Sequence, residues 1–187
     1  MRRIVLTFGL IAGAILSLMM LVSTALADQI GFGKAFSAIG GFTTMVLSFL
    51  LVYFGIRTFR DTMTDGTIGF GKAFGVGLLI TLVACVCYVA TWEVIYYWLM
   101  PDFLERYAAH ALATARASGA TEAELAAQAR ELARHRTMYA NPLVNVAFAF
   151  IEPLPVGIVM TAVSAWLLRR RQPRSGTLAV GATSPAL

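Results

Sequence analysis

Four stretches of the chain, residues 4–26, 35–56, 73–99 and 143–168, are almost continuously apolar. Each is long enough for the ~20 residues a helix needs to cross a hydrocarbon core. Lipid offers no water to bond exposed amides, so single-chain spans of this length fold as helices. Hydrophobic residues make up 58% of the sequence, charged residues 13%, and the mean hydropathy is +0.73. A soluble domain holds about a quarter charged residues. The fold class expected is an all-α membrane protein with four transmembrane helices.

Net charge is +5 and the isoelectric point near 9.6. The basic residues gather where membrane orientation is decided, at the ends of the apolar runs. Arg2 and Arg3 precede the first run, Arg57, Arg60 and Lys72 separate the second from the third, and Arg169, Arg170, Arg171 and Arg174 follow the fourth. This pattern predicts that both termini are cytoplasmic and gives no sign of a nucleic-acid partner. Lys34 stands alone in the first connection, while Arg106, Arg116, Arg130, Arg134 and Arg136 are balanced by acidic residues in the long third one. The first run has two readings. Ala25-Leu26-Ala27 fits a secretory cleavage site, yet a signal core is about 7–15 residues, and Gly9, Gly13 and Ser17 have the spacing that lets helices approach closely. A retained helix is expected.

Small residues recur at four-residue spacing in the other spans: Gly40, Thr44 and Ser48; Gly77, Thr81 and Cys85; Gly157, Thr161 and Ala165. Such stripes are how helices cohere in lipid. Cys85 and Cys87 point in different directions on one helix and cannot bridge each other. Trp92, Tyr96, Tyr97 and Trp98 form an interfacial belt at the end of the third span.

Beyond that belt, residues 102–140 read as an extracytoplasmic helical hairpin. Gly119 suits the end of its first arm, and Thr121 with Glu124 forms a capping box for the second. Leu125, Ala129, Leu132 and Arg136 make a narrow apolar stripe, and Asp102 with Arg106 a supporting ion pair. His110 and His135, the latter four residues after Glu131, supply too few ligands for a metal. Residues 172–187 lack periodicity and read as a disordered cytoplasmic tail.

Two carboxylates sit where charge is costly. Glu93 lies in the aromatic belt and Glu152 about a third of the way into the fourth span, and an unpaired carboxylate inside a bilayer costs from about 2.5 kcal/mol upward. Glu93 and Glu152 are expected to face each other and share a proton, with Lys34 as the nearest cation; Pro153 and Pro155 offer a structural role for Glu152 by freeing carbonyls. The stretch from Gly66 to Ala73 imitates a phosphate loop but has Ala where magnesium needs Ser or Thr, so no nucleotide is expected. The heptapeptide IGFGKAF occurs twice, at residues 30–36 and 68–74, each time leading into a span. The two copies belong on opposite membrane faces, and the second, with Arg57, Arg60 and Lys72, is a candidate lipid contact.

The stretches RRIVLTFGLIAGAILSLMML, GTIGFGKAFGVGLLITLVACVCYVATWEVIYY, PDFLERY and FIEPLPVGIVMTAVSAWLLRR together resemble a bacterial membrane-protein family, domain of unknown function 4199. The resemblance covers roughly residues 1–171. It implies a multi-pass protein of the bacterial inner membrane with a retained first helix, and it brings no catalytic residues or cofactor. No nucleophile, base or metal set converges on one face, so no enzyme is expected. The leading expectation is a non-enzymatic bundle presenting its hairpin to a membrane-protein partner or a second copy of itself. The alternative is a small oligomeric transporter or proton-linked channel using Glu93 and Glu152.

Overall fold

A computed structural model of the chain describes residues 1–64 and 66–169. The tail expected to be disordered, with Arg170, Arg171 and Arg174, lies outside the described residues. Every regular element among the described residues is helical. Helix α1 (Arg2–Ile30) ends at Gly31, whose φ of +88° turns the chain into a single helical turn, α2 (Phe32–Ala35). Helix α3 (Ala38–Met63) returns, α4 (Phe70–Val94) comes back, and its last turn widens into a π-helical stretch at Ile95–Leu99. The hairpin is α5 (Phe103–Ala117) and α6 (Glu122–Tyr139), and the fourth span is α7 (Pro142–Ile151) followed by α8 (Pro153–Leu168). Four helical stretches are long and apolar enough to cross a membrane.

Helix limits differ from the apolar runs for a physical reason. Apolarity marks contact with lipid, whereas a helix ends where capping ends it. Helix α3 therefore starts after Ser37, whose side chain accepts from the Gly40 amide, and continues through polar Arg57 to Met63. The fourth run is one span whose helical hydrogen bonding is interrupted at Glu152, which keeps α-region backbone angles immediately before Pro153 removes an amide donor.

Close approach at small residues holds the bundle together. A Cβ on Gly9 would lie 2.7 Å from Val83, and one on Gly13 would lie 2.6 Å from Cys87, so α1 and α4 pack nearly backbone to backbone. Thr91 Oγ1 donates to Ser17 Oγ at 2.7 Å along the same seam. Between α4 and α8, Gly77 faces Thr161, Gly157 faces Thr81, and the two threonine hydroxyls share a hydrogen bond of 3.0 Å. Phe49, Val52 and Ile56 of α3 close this core, all fully buried.

The sealed part of the bundle is its half nearer Arg2 and Arg169. Every buried residue of α3 falls between Met45 and Phe59. Toward the hairpin, α3 presents Gly40, Gly41 and Thr44 to a cavity instead of to a neighbouring helix. Ser48 sits at the boundary, fully buried, with a hydroxyl that finds no partner among the described residues. An unsatisfied buried hydroxyl costs about 1–3 kcal/mol. Ser48→Ala is therefore expected to raise the thermal midpoint in detergent by a few degrees, as read by circular dichroism; a lowered midpoint would show that the hydroxyl is bonded.

The hairpin is docked onto the bundle. Gly119, at φ +86°, ends α5, and the Thr121–Glu124 capping box begins α6. Arg106 bonds both Asp102 of its own helix and Asp28 at the end of α1, and Arg136 joins the two arms through Glu105 at 2.6 Å. The bond from Arg106 holds the Asp102 carboxyl below its usual range, and the Thr121 amide does the same for Glu124. Phe103 packs on Phe32 and Phe36 of the first heptapeptide copy, and Gly33 lies so close to the His110 ring that a Cβ there would clash.

Candidate functional site

The hairpin end of the bundle carries a half-open cavity of about 420 Å³ beside α3. Its walls come from Leu16 and Met20 of α1, Gly40, Gly41, Phe42, Thr44 and Met45 of α3, Tyr88 and Trp92 of α4, and Phe148, Ala149 and Glu152 around the interruption in the fourth span. Its roof is the hairpin, through Phe103 and Tyr107 of α5 and Leu132, His135 and Tyr139 of α6. The hairpin stripe predicted from sequence is thus used within the chain: Leu125 is buried and Leu132 faces the cavity.

Glu152 is the chemical centre of this space. It lies about ten residues below the start of α7, or roughly 15 Å at 1.5 Å per residue, well inside the span. The phenol of Tyr88 donates to Glu152 Oε2 at 2.6 Å, orienting the carboxylate. Glu152 itself is exposed and lines the cavity. Tyr139 feels the same charge. Burial first, and the Glu152 carboxylate next, push its phenol above the ordinary range. A second polar contact braces the wall: Trp92 Nε1 donates to Oδ1 of the fully buried Asn145 at 2.7 Å, while Asn145 Nδ2 has no partner among the described residues.

Of the residues singled out from sequence, Glu152 and Lys34 line this cavity, and no ion pair joins them among the described residues. Glu93 is not among the lining residues; it is half-buried with Oε1 unpartnered, and the partner of Glu152 is Tyr88. Arg57, Arg60 and Lys72 gather at the opposite end of the bundle. Arg57 and Arg60 reach Asp61, and Lys72 lies over the Phe59 ring at 5.6 Å. No group of three metal-ligating side chains occurs among the described residues. Tyr88 and Asn145 were not read as site residues from sequence. The signal for Tyr88 was present in its four-residue spacing to Trp92 and Tyr96, but for Asn145 only in a lone amide within an apolar run.

The model of the family described as "Protein of unknown function (DUF4199)" matches residues 7–170. The chain belongs to that family. The match in this DUF4199 protein takes in the first span from residue 7, the other three spans, the hairpin and every residue named above as lining the cavity. No curated protein and no solved structure matches the chain.

Proposed function

We propose that this DUF4199 protein is a non-enzymatic protein of the bacterial inner membrane that holds a small amphiphilic ligand in the cavity beneath its hairpin. One observation carries the reading. A carboxylate well inside a span lines a half-open cavity, held by a tyrosine and unmatched by a protein cation. Intramembrane charge that faces a cavity is by default a candidate functional site. The volume falls within the range of small-molecule pockets, and the lining is mainly apolar with a few convergent polar groups, as such pockets require.

The basic residues Arg2, Arg3, Arg57, Arg60, Lys72 and Arg169 all lie at the end away from the hairpin. That asymmetry supports a cytoplasmic location for both termini and an extracytoplasmic hairpin. The hairpin is read as a roof over the cavity. Its docking to a protein partner or a second copy has less support, because the apolar stripe that would dock is occupied within the chain. A proton-linked channel through Glu93 and Glu152 is likewise less well supported, since the two carboxylates do not share the cavity.

Gly41 provides the test. It lines the cavity, and a Cβ built on it meets nothing within 4 Å, so Gly41→Trp is expected to fill the space without disturbing the core. In native mass spectrometry from lipid nanodiscs, the wild-type protein is expected to carry a small-molecule adduct that Gly41→Trp lacks at an unchanged unfolding midpoint. The same adduct on both proteins, or none on the wild type, would overturn the reading.

A further inference from the structure

Eight aromatic side chains line the Glu152 cavity, among them Tyr88, Trp92, Phe103, Tyr107, Tyr139 and Phe148. Several of them are held by one another. Trp92 meets Phe103 edge to face at 4.9 Å, Tyr139 stacks on Phe148 at 5.4 Å, and the Trp92 indole is further pinned by its bond to Asn145. A cavity lined by aromatic side chains and one carboxylate has a definite chemical preference. The negative faces attract a cation, most strongly one that sheds its water cheaply, and the carboxylate supplies the opposite charge.

Resting on the ligand-binding reading above, we propose that the cavity recognises an organic monocation, an alkylated ammonium with a compact apolar body. Tyr88 occupies Oε2 of Glu152, and no donor among the described residues reaches the other oxygen, which leaves it for the ligand's charged end. A carboxylate at this depth is stabilised by a counter-charge, a bound proton or water, and no arginine, lysine or histidine of the chain pairs with it among the described residues. The cationic ligand supplies that counter-charge. An anion meets repulsion from Glu152, and a neutral molecule of the same shape leaves the carboxylate unmatched. Lys34 and His135, both exposed residues on the cavity wall, set a limit of their own: a second positive charge on the ligand would meet the Lys34 ammonium.

An isosteric set of three probes tests the assignment: benzyltrimethylammonium, its neutral carbon counterpart neopentylbenzene, and anionic phenylmethanesulfonate. Trp98→Phe with Trp166→Phe leaves Trp92 as the single tryptophan reporter, and a maltoside detergent avoids lipids that themselves carry ammonium groups. Titrations are read by Trp92 fluorescence. The ammonium is expected to bind at least tenfold more tightly than neopentylbenzene, with the sulfonate weakest. Glu152→Gln, which keeps an acceptor for Tyr88, is expected to abolish that difference while leaving neopentylbenzene unchanged. Neutral and cationic probes binding equally, or an ammonium affinity indifferent to Glu152→Gln, would overturn the cation assignment and leave the cavity reading standing. No binding of any probe to protein shown folded by circular dichroism would overturn both.

Discussion

Gly157→Ala is expected to lower the thermal midpoint of the detergent-solubilised bundle by about 10 °C. The added methyl would lie 2.3 Å from Thr81 Cγ2 and 3.1 Å from the Phe49 ring. Neither neighbour can retreat cheaply. Rotating Thr81 to withdraw its methyl carries Oγ1 away from Thr161, breaking a buried hydrogen bond of 3.0 Å, and Phe49 is fully buried in the core. Overpacking of this kind costs up to about 3 kcal/mol, and a chain of this size loses about 2–4 °C per kcal/mol. The collision is specific enough to be relieved. Thr81→Ser deletes the offending methyl and keeps the hydroxyl, so Gly157→Ala with Thr81→Ser is expected to recover most of the loss, the coupling expected of neighbours in contact. Gly75→Ala is the control, because a Cβ there meets nothing within 4 Å. Equal midpoints for Gly157→Ala and Gly75→Ala would show that α4 and α8 do not pack as described.

How much of this was legible beforehand depends on which link of the chain each feature lives on. Local signals read true because they are satisfied by residues close in sequence. Thr121 and Glu124 form their capping box, Gly119 takes a positive φ, and Asp102 meets Arg106. Composition fixes the four spans for a similar reason, since burial in lipid is a property of each run by itself. The spacing of Gly9 and Gly13 correctly implied a close-packed helix, although the partner, α4, is a tertiary fact that spacing does not contain.

Failures came where rotation or divergence of helices decides. Glu93 and Glu152 were placed at similar depth, but depth does not fix direction: Glu93 is five residues beyond Tyr88, about 140° further around the helix at 3.6 residues per turn. Tyr88 therefore takes the place opposite Glu152. A tyrosine among apolar neighbours reads as packing until the structure gives its hydroxyl an acceptor. The stripe Gly40, Thr44 and Ser48 read as one packing seam, yet it is a seam only at Ser48; above it, α3 leans away and the same small residues become a cavity wall. Nothing in a four-residue period says where two helices part. The first heptapeptide copy shows the same limit. Its phenylalanines suit a membrane boundary, but Phe32, Gly33 and Phe36 are also the surface on which the hairpin rests.

The boundary between the sealed and open halves of the bundle falls between Thr44 and Ser48, one helical turn apart on one face of α3. Thiol reactivity measures it directly. In a Cys87→Ala background, with the fully buried Cys85 retained, Thr44→Cys, Ser48→Cys and Val46→Cys are each exposed to a small polar thiol reagent in nanodiscs accessible from both faces. Thr44→Cys, on the cavity wall, is expected to react at least tenfold faster than both others: Ser48 is sealed in the core, and Val46 is exposed on a surface that does not line the cavity. A Thr44→Cys rate as slow as that of Val46→Cys, or a Ser48→Cys rate as fast as that of Thr44→Cys, would contradict a hairpin-roofed cavity above a closed core.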